Sequence, residues 1–199
     1  HSFLMHLEIN SFRRNISSLS FICINFHWKL LIKVKFCAAF ALLSWTWKSK
    51  IFLKFCNEKG IKNFIFSSSA AVYGKVSRDK INEDQYCNPG NYYGLSKYVC
   101  ENIIQNQFKN KKISYAILRY FNVVGSILDF KVEKKIKSLF DIIADNIKKN
   151  KYRININGNK LNTIDGTPER DFIHIQDICQ IHKKTYQYLK KNKKIILNC

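Results

Sequence analysis

The sequence predicts an α/β fold: a partial parallel sheet with helices on both faces. Three observations carry that prediction. From about residue 48 onward, apolar runs of strand length alternate with helix-length segments, the pattern of strand–helix–strand units. Hydrophobic residues make up 46% of the 199, enough for one real core and too many for a chain disordered throughout. Two Pro and seven Gly exclude collagen-like and linker architectures.

The elements follow in order. Residues 48–59 predict a helix with Ile51, Phe52 and Phe55 on one face and Gly60 as its stop. Residues 62–67 predict a short buried strand, apolar at Phe64, Ile65 and Phe66, closed by the small residues of 67–71. A polar loop spans 75–90. A helix at 93–108 and a strand at 113–118 come next. They are followed by a helix at 136–149, a strand at 152–156, a helix at 178–191 capped by Asp177, and a last strand at 195–198. His174 reads as a structural residue in an apolar run. Residues 1–47 stand apart: they hold all three Trp, one acidic residue (Glu8), and no Gly or Pro to punctuate their apolar runs. They read as an anomalous, loosely packed segment without a clear domain, and 48–199 as the folded domain. A chain that opens on His1 reads as a fragment.

The net charge of +20 would suit a polyanion, but the excess is lysine, 28 Lys against six Arg. Arg is the residue that forks onto phosphate and base edges, so the excess reads as a solvated basic surface with no specific nucleic-acid partner. The seven cysteines (Cys23, Cys37, Cys56, Cys87, Cys100, Cys179, Cys199) are irregularly spaced and form no CxxC. No metal site is expected from them, and a reducing, cytoplasmic location is the default. The longest apolar stretch, 36–47, is shorter than the roughly 20 residues of a membrane span.

In an open parallel sheet, chemistry gathers beyond the carboxyl ends of the strands. One such end delivers Ser67, Ser68 and Ser69; another delivers Arg119, Tyr120, Phe121 and Asn122. Between them stands Tyr93-Gly-Leu-Ser-Lys97. Tyr and Lys four apart share a helix face, where the ammonium favours tyrosinate. Such a Tyr takes a proton from a sugar hydroxyl that Ser69 shares by hydrogen bond. The bare pattern is weak, since Tyr186/Lys190 repeats it with no serine-bearing strand before it.

SSSAAVYG (67–74), NYYGLSKY (91–98), LRYFNVVG (118–125) and DGTPERDFIHIQDI (165–178) occur in this order. On these four motifs, over residues 48–199, the chain resembles the extended short-chain dehydrogenase/reductase family, the NAD-dependent epimerases and dehydratases. The resemblance implies a Rossmann domain that holds NAD and part of a small C-terminal domain that holds a UDP-sugar. It implies Tyr93 as proton acceptor, Lys97 on the nicotinamide ribose, Ser69 on the 4-hydroxyl, and Phe121 lining the nicotinamide site. It implies Asn122 and Arg170 as substrate contacts, Arg170 toward the diphosphate. The implied activity is interconversion of UDP-galactose and UDP-glucose: hydride leaves C4 for NAD, the 4-ketose turns over, and hydride returns to its other face. A homodimer is compatible with the resemblance. Relatives that catalyse elimination or decarboxylation carry a carboxylate just before VYG. Here Ala70 and Ala71 stand there and transfer no proton, which favours simple epimerisation.

The sequence departs from the family's pattern in one large respect. No Gly precedes Gly60, so the GxxGxxG turn that seats the dinucleotide pyrophosphate is missing. The expectation is weak cofactor affinity and little or no turnover. The alternatives are another sugar-nucleotide epimerase of the same branch, or a non-catalytic Rossmann-like fragment.

Overall fold

The computed structural model describes residues 21–24, 38–75, 80–125, 139–156 and 158–199, with backbone alone for 21–24 and 38–45. For residues 1–20 and 25–37 the expectation of loose packing lies outside the described residues. Two compact units make up the chain: His1–Tyr120 with His182–Cys199, and Phe121–Ile181.

The first unit is built on four parallel strands. They are β1 (Phe21–Ile24), β2 (Asn63–Ser69), β3 (Ser114–Tyr120) and β6 (Lys194–Asn198), in spatial order β1-β2-β3-β6. Helix α1 (Ala38–Glu58) precedes β2, and α2 (Tyr92–Phe108) links β2 to β3. The last helix, α4 (Ile175–Leu189), enters this unit at His182 and leads into β6. The α/β prediction therefore holds.

Strand alternation explains the layers. Phe64 and Phe66 of β2 and Tyr115 and Ile117 of β3 point to one face. They form one cluster there with Leu53 and Cys56 of α1 and Cys100, Ile103, Ile104 and Phe108 of α2. The intervening residues, Ile65, Ala116 and Leu118, are buried on the other face. A strand buried on both sides reads as a continuous apolar run, which is why 62–67 is legible. Removing such a side chain from water is worth about 1.5–3 kcal/mol each.

The second unit is smaller. It pairs β4 (Asn122–Val124) with β5 (Phe172–His174) in parallel, Asn122 opposite Phe172. It also holds α3 (Leu139–Lys148), whose Phe140 meets Phe172 edge to face with ring centres 5.1 Å apart. None of the residues of α3 is buried.

Several predicted boundaries change. The helix predicted at 48–59 begins at Ala38, because nothing in 38–47 breaks a helix, and missing punctuation is not missing structure. Phe21–Ile24 is a strand. The strand predicted at 152–156 is not one: Tyr152, Ile154 and Ile156 alternate correctly, yet no described strand pairs with them and all three are exposed. An alternating run without a ladder partner has nothing to hold it extended. Asp177 lies inside the first turn of α4 rather than capping it. His174 holds that place, its Nδ1 accepting from the Gln176 N–H at 3.3 Å. Strands β4 and β5, three residues each, carry no sequence signal. Among the described residues no helix is long and apolar enough to cross a membrane.

Candidate active site

Strand β2 ends in three serines, and each is used differently. Ser69 is its last residue and caps the short 3-10 turn Ala70–Val72, its Oγ accepting from the Ala71 N–H at 3.2 Å. A hydroxyl oxygen that accepts keeps its own proton to donate. Helix α2 starts against this turn. Asn91 caps it, Oδ1 accepting from the Gly94 N–H at 2.8 Å, and a β-carbon at Gly94 would lie 2.2 Å from the Ala71 carbonyl oxygen. Only glycine permits that approach. The first turn of α2, with Tyr93, thus stands beside the turn that follows Ser69.

One turn along α2, Lys97 is 3% exposed. Its ammonium donates to the Ser67 carbonyl at 2.8 Å and lies 5.1 Å from the centre of the Phe66 ring and 5.8 Å from that of Tyr93. Burial pulls the Lys97 pKa below the ordinary lysine value, while Cys100 and Glu101 act the other way.

A second turn along, Glu101 is fully buried and clamped. Arg119 of β3 grips it bidentately, Nε to Oε1 at 3.1 Å and Nη2 to Oε2 at 2.7 Å. Ser68 adds its hydroxyl to Oε1. The same guanidinium donates through Nη1 to the Tyr73 hydroxyl at 2.7 Å and to the Glu83 carbonyl at 3.1 Å. Tyr73 passes the chain on to Asn198 Oδ1 at 2.7 Å, so β6 is tied to the same cluster. Burial opposes the Arg119 charge, and its bonds to Glu101 and Tyr73 outweigh that, leaving its pKa above the ordinary value.

On the other face of the strand, Ser67 Oγ and the Tyr120 hydroxyl lie 3.1 Å apart, and Tyr120 lies 3.0 Å from His182 Nε2. Ser67 and Tyr120 are among the strand-end residues the sequence points to; Glu101 and His182 are not. Glu101 has a signal all the same: Tyr93, Lys97 and Glu101 recur at intervals of four, which stacks them on one helix face.

In the second unit, Phe121 is half-buried and Asn122 opens β4. Both the main-chain N–H and the side-chain amide of Asn122 donate to the Asp171 carbonyl, at 3.2 and 2.9 Å. Arg170, the residue before Asp171, is exposed. The repeat of the Tyr-x-x-x-Lys pattern sits elsewhere. Lys190 lies over the Tyr186 ring at 4.9 Å and lines an open cleft of about 620 Å³ with Asn63, Lys62 and Lys112, at the amino ends of β2 and β3. That is the end of the strands opposite Ser69. Among the described residues no three His, Cys, Asp or Glu are grouped to hold a metal.

A parallel sheet whose carboxyl edge carries Ser69, a half-buried Tyr93 and a buried Lys97 places the chain in the Rossmann-like class of α/β proteins. More particularly, it belongs to the NAD dependent epimerase/dehydratase family, which residues 49–199 match. It is 36% identical over 146 residues to the UDP-glucose 4-epimerase of Mycoplasma genitalium, covering 69% of this chain and 41% of that one. A solved UDP-Glc/GlcNAc 4-epimerase from Campylobacter jejuni is 31% identical, with a TM-score of 0.62 over 81% of this chain and 50% of its own. The Bifidobacterium longum UDP-glucose 4-epimerase, solved with NAD+ and UDP, is 25% identical with a TM-score of 0.76, covering 98% and 59%. The chain spans less than half the length of the curated relatives it matches.

Proposed function

We propose that residues 48–199 carry the proton-transfer part of an NAD-dependent UDP-hexose 4-epimerase acting between UDP-galactose and UDP-glucose. The observation that carries this reading is the buried Lys97 ammonium held at the end of β2, one helical turn from Tyr93. A cation fixed there offsets the negative charge that develops on Tyr93 as it takes the proton of the sugar 4-hydroxyl. Ser69 donates its remaining proton to the same hydroxyl and orients it. The relatives named above, two of them UDP-glucose 4-epimerases, support the substrate class.

The residues present fit the nicotinamide end of NAD, because a desolvated ammonium is a strong donor to ribose hydroxyls. They do not supply its pyrophosphate seat, since no Gly precedes Gly60. When bound, NAD supplies the acceptor and return donor of the C4 hydride. Phe121 lines the nicotinamide side in this reading. Asn122 contacts the sugar, and Arg170 grips the diphosphate with its guanidinium fork.

The test is incubation of purified chain with millimolar NAD and UDP-galactose, with UDP-glucose measured chromatographically. Slow formation is expected, far below the ~10 per second of an ordinary enzyme, and it should vanish in Y93F. No UDP-glucose, or equal formation by Y93F, overturns the reading. Offering UDP-N-acetylgalactosamine in parallel decides between a strict and a broad epimerase.

A further inference from the structure

Lys97 and Glu101 are opposite charges four apart on one buried helix face, the spacing at which such side chains pair. In the structure the Lys97 ammonium instead donates to the Ser67 carbonyl. The carboxylate is taken: Arg119 holds both of its oxygens, and the Ser68 hydroxyl shares Oε1. Ser68 and Arg119 stand directly opposite each other on β2 and β3, so the strand register itself delivers the guanidinium to Glu101. Strand β2 then presents two consecutive polar groups to α2, the Ser67 carbonyl to Lys97 and the Ser68 hydroxyl to Glu101.

We propose that Arg119 is a positioning residue that keeps Glu101 from capturing Lys97, leaving the ammonium on Ser67 where it faces Tyr93. This rests on Tyr93 and Lys97 as the reacting pair. An unguarded buried carboxylate needs either a proton or a cation. The cation one helical turn away is Lys97, whose pKa is already held up in part by the Glu101 charge. Pairing would draw the ammonium along α2, away from Ser67 and from Tyr93. The other groups around Lys97 do not compete. Cys100 meets the Ser49 hydroxyl at 3.5 Å on the α1 side, with burial keeping its thiol protonated, and Phe66 offers only its ring.

Crystal structures and turnover of R119M and of E101Q/R119M test this. In R119M the Lys97 Nζ should leave the Ser67 carbonyl for Glu101. Its kcat should fall at least tenfold with the KM for UDP-galactose within twofold. In E101Q/R119M, Nζ should return to Ser67 and most of the lost kcat should come back, although the double variant has lost more of the buried cluster. A purely structural Arg119 would make the double variant no better than the single. Nζ remaining on Ser67 in R119M, with Glu101 taking a proton, overturns the proposal. Where R119M does not fold, R119Q keeps one hydrogen bond without the charge and carries the same two outcomes. A parent without turnover whose Lys97 moves as stated removes the functional reading and leaves this inference standing; an active parent whose Lys97 stays put does the reverse.

Discussion

The two units hold their candidate residues in opposite ways. In the first, Ser68, Lys97, Glu101 and Arg119 are all buried, and each spends its polar atoms on the others or on the strand ends. In the second, Arg170 is exposed, Asn122 is tied down through its own backbone and amide, and α3 buries nothing. The two arginines show the difference most directly. Arg119 is locked in a desolvated bidentate pair, a geometry that costs several kcal/mol to break from one side and so resists movement. Arg170 keeps the hydration and rotamer freedom suited to meeting a charged group that arrives from solution. Burial fixes geometry and exposure preserves reach, and the proposed function, which aims a proton and receives a soluble anion, would use both.

The largest expected effect sharpens the first side of this comparison. Y93F should lower turnover by about 10²–10⁴-fold, the range for losing a positioned acid/base group, with an unchanged circular dichroism spectrum. An equal loss in Y186F would break it, since Tyr186 is the same pattern placed at the other end of the strands. Next comes the contrast in packing. F66A should cost about 3–5 kcal/mol in urea unfolding. I147A, at a residue 58% exposed on α3, should stay within about 0.5 kcal/mol. Comparable losses at both positions would mean that α3 is covered. Third, R170A should raise the KM for UDP-galactose about tenfold or more, as one charge-assisted contact implies, and leave kcat nearly unchanged. A fall in kcat alone would place Arg170 outside diphosphate binding.

The smallest effect is a pH dependence of the core. Burial pushes the Cys56 thiol up from 9.0 to about 12. The folded state therefore keeps the thiol neutral where the unfolded chain ionises it. That contribution is complete below pH 9 and is lost as pH rises toward about 12. Urea midpoints measured from pH 8 to 11 should fall in the parent and fall less in C56V. Parallel curves would show that some other group governs the alkaline limb.

What is legible in the sequence follows the same division. Strand β2 is readable because burial on both faces leaves a dense apolar run, whereas the Asn91 cap and the close approach at Gly94 that begin α2 emerge only in the structure. The pair β4–β5 is not readable, because three-residue strands are held by their partner rather than by their own composition. The start of α1 at Ala38 is hidden by the lack of any cap signal in 36–47. At the site, Tyr93, Lys97 and Ser69 are visible as a spacing, whereas the Arg119–Glu101 clamp depends on the strand register that sets Arg119 opposite Ser68, beneath a helix residue 18 positions away from it. The Ser67–Tyr120–His182 chain is still less legible, since its two links join residues 53 and 62 positions apart.

The serine run at the end of β2 has a consequence for mutation. Because the three residues are identical, deleting Ser67, Ser68 or Ser69 yields one and the same sequence. The three positions are nevertheless not interchangeable. Ser67 offers its carbonyl to Lys97 and its hydroxyl to Tyr120, Ser68 gives its hydroxyl to Glu101, and Ser69 caps the turn at Ala70. A loss of one residue in a strand moves every later side chain to the opposite face. Three distinct genetic lesions would thus converge on one product in which Ala70 stands where the capping hydroxyl was.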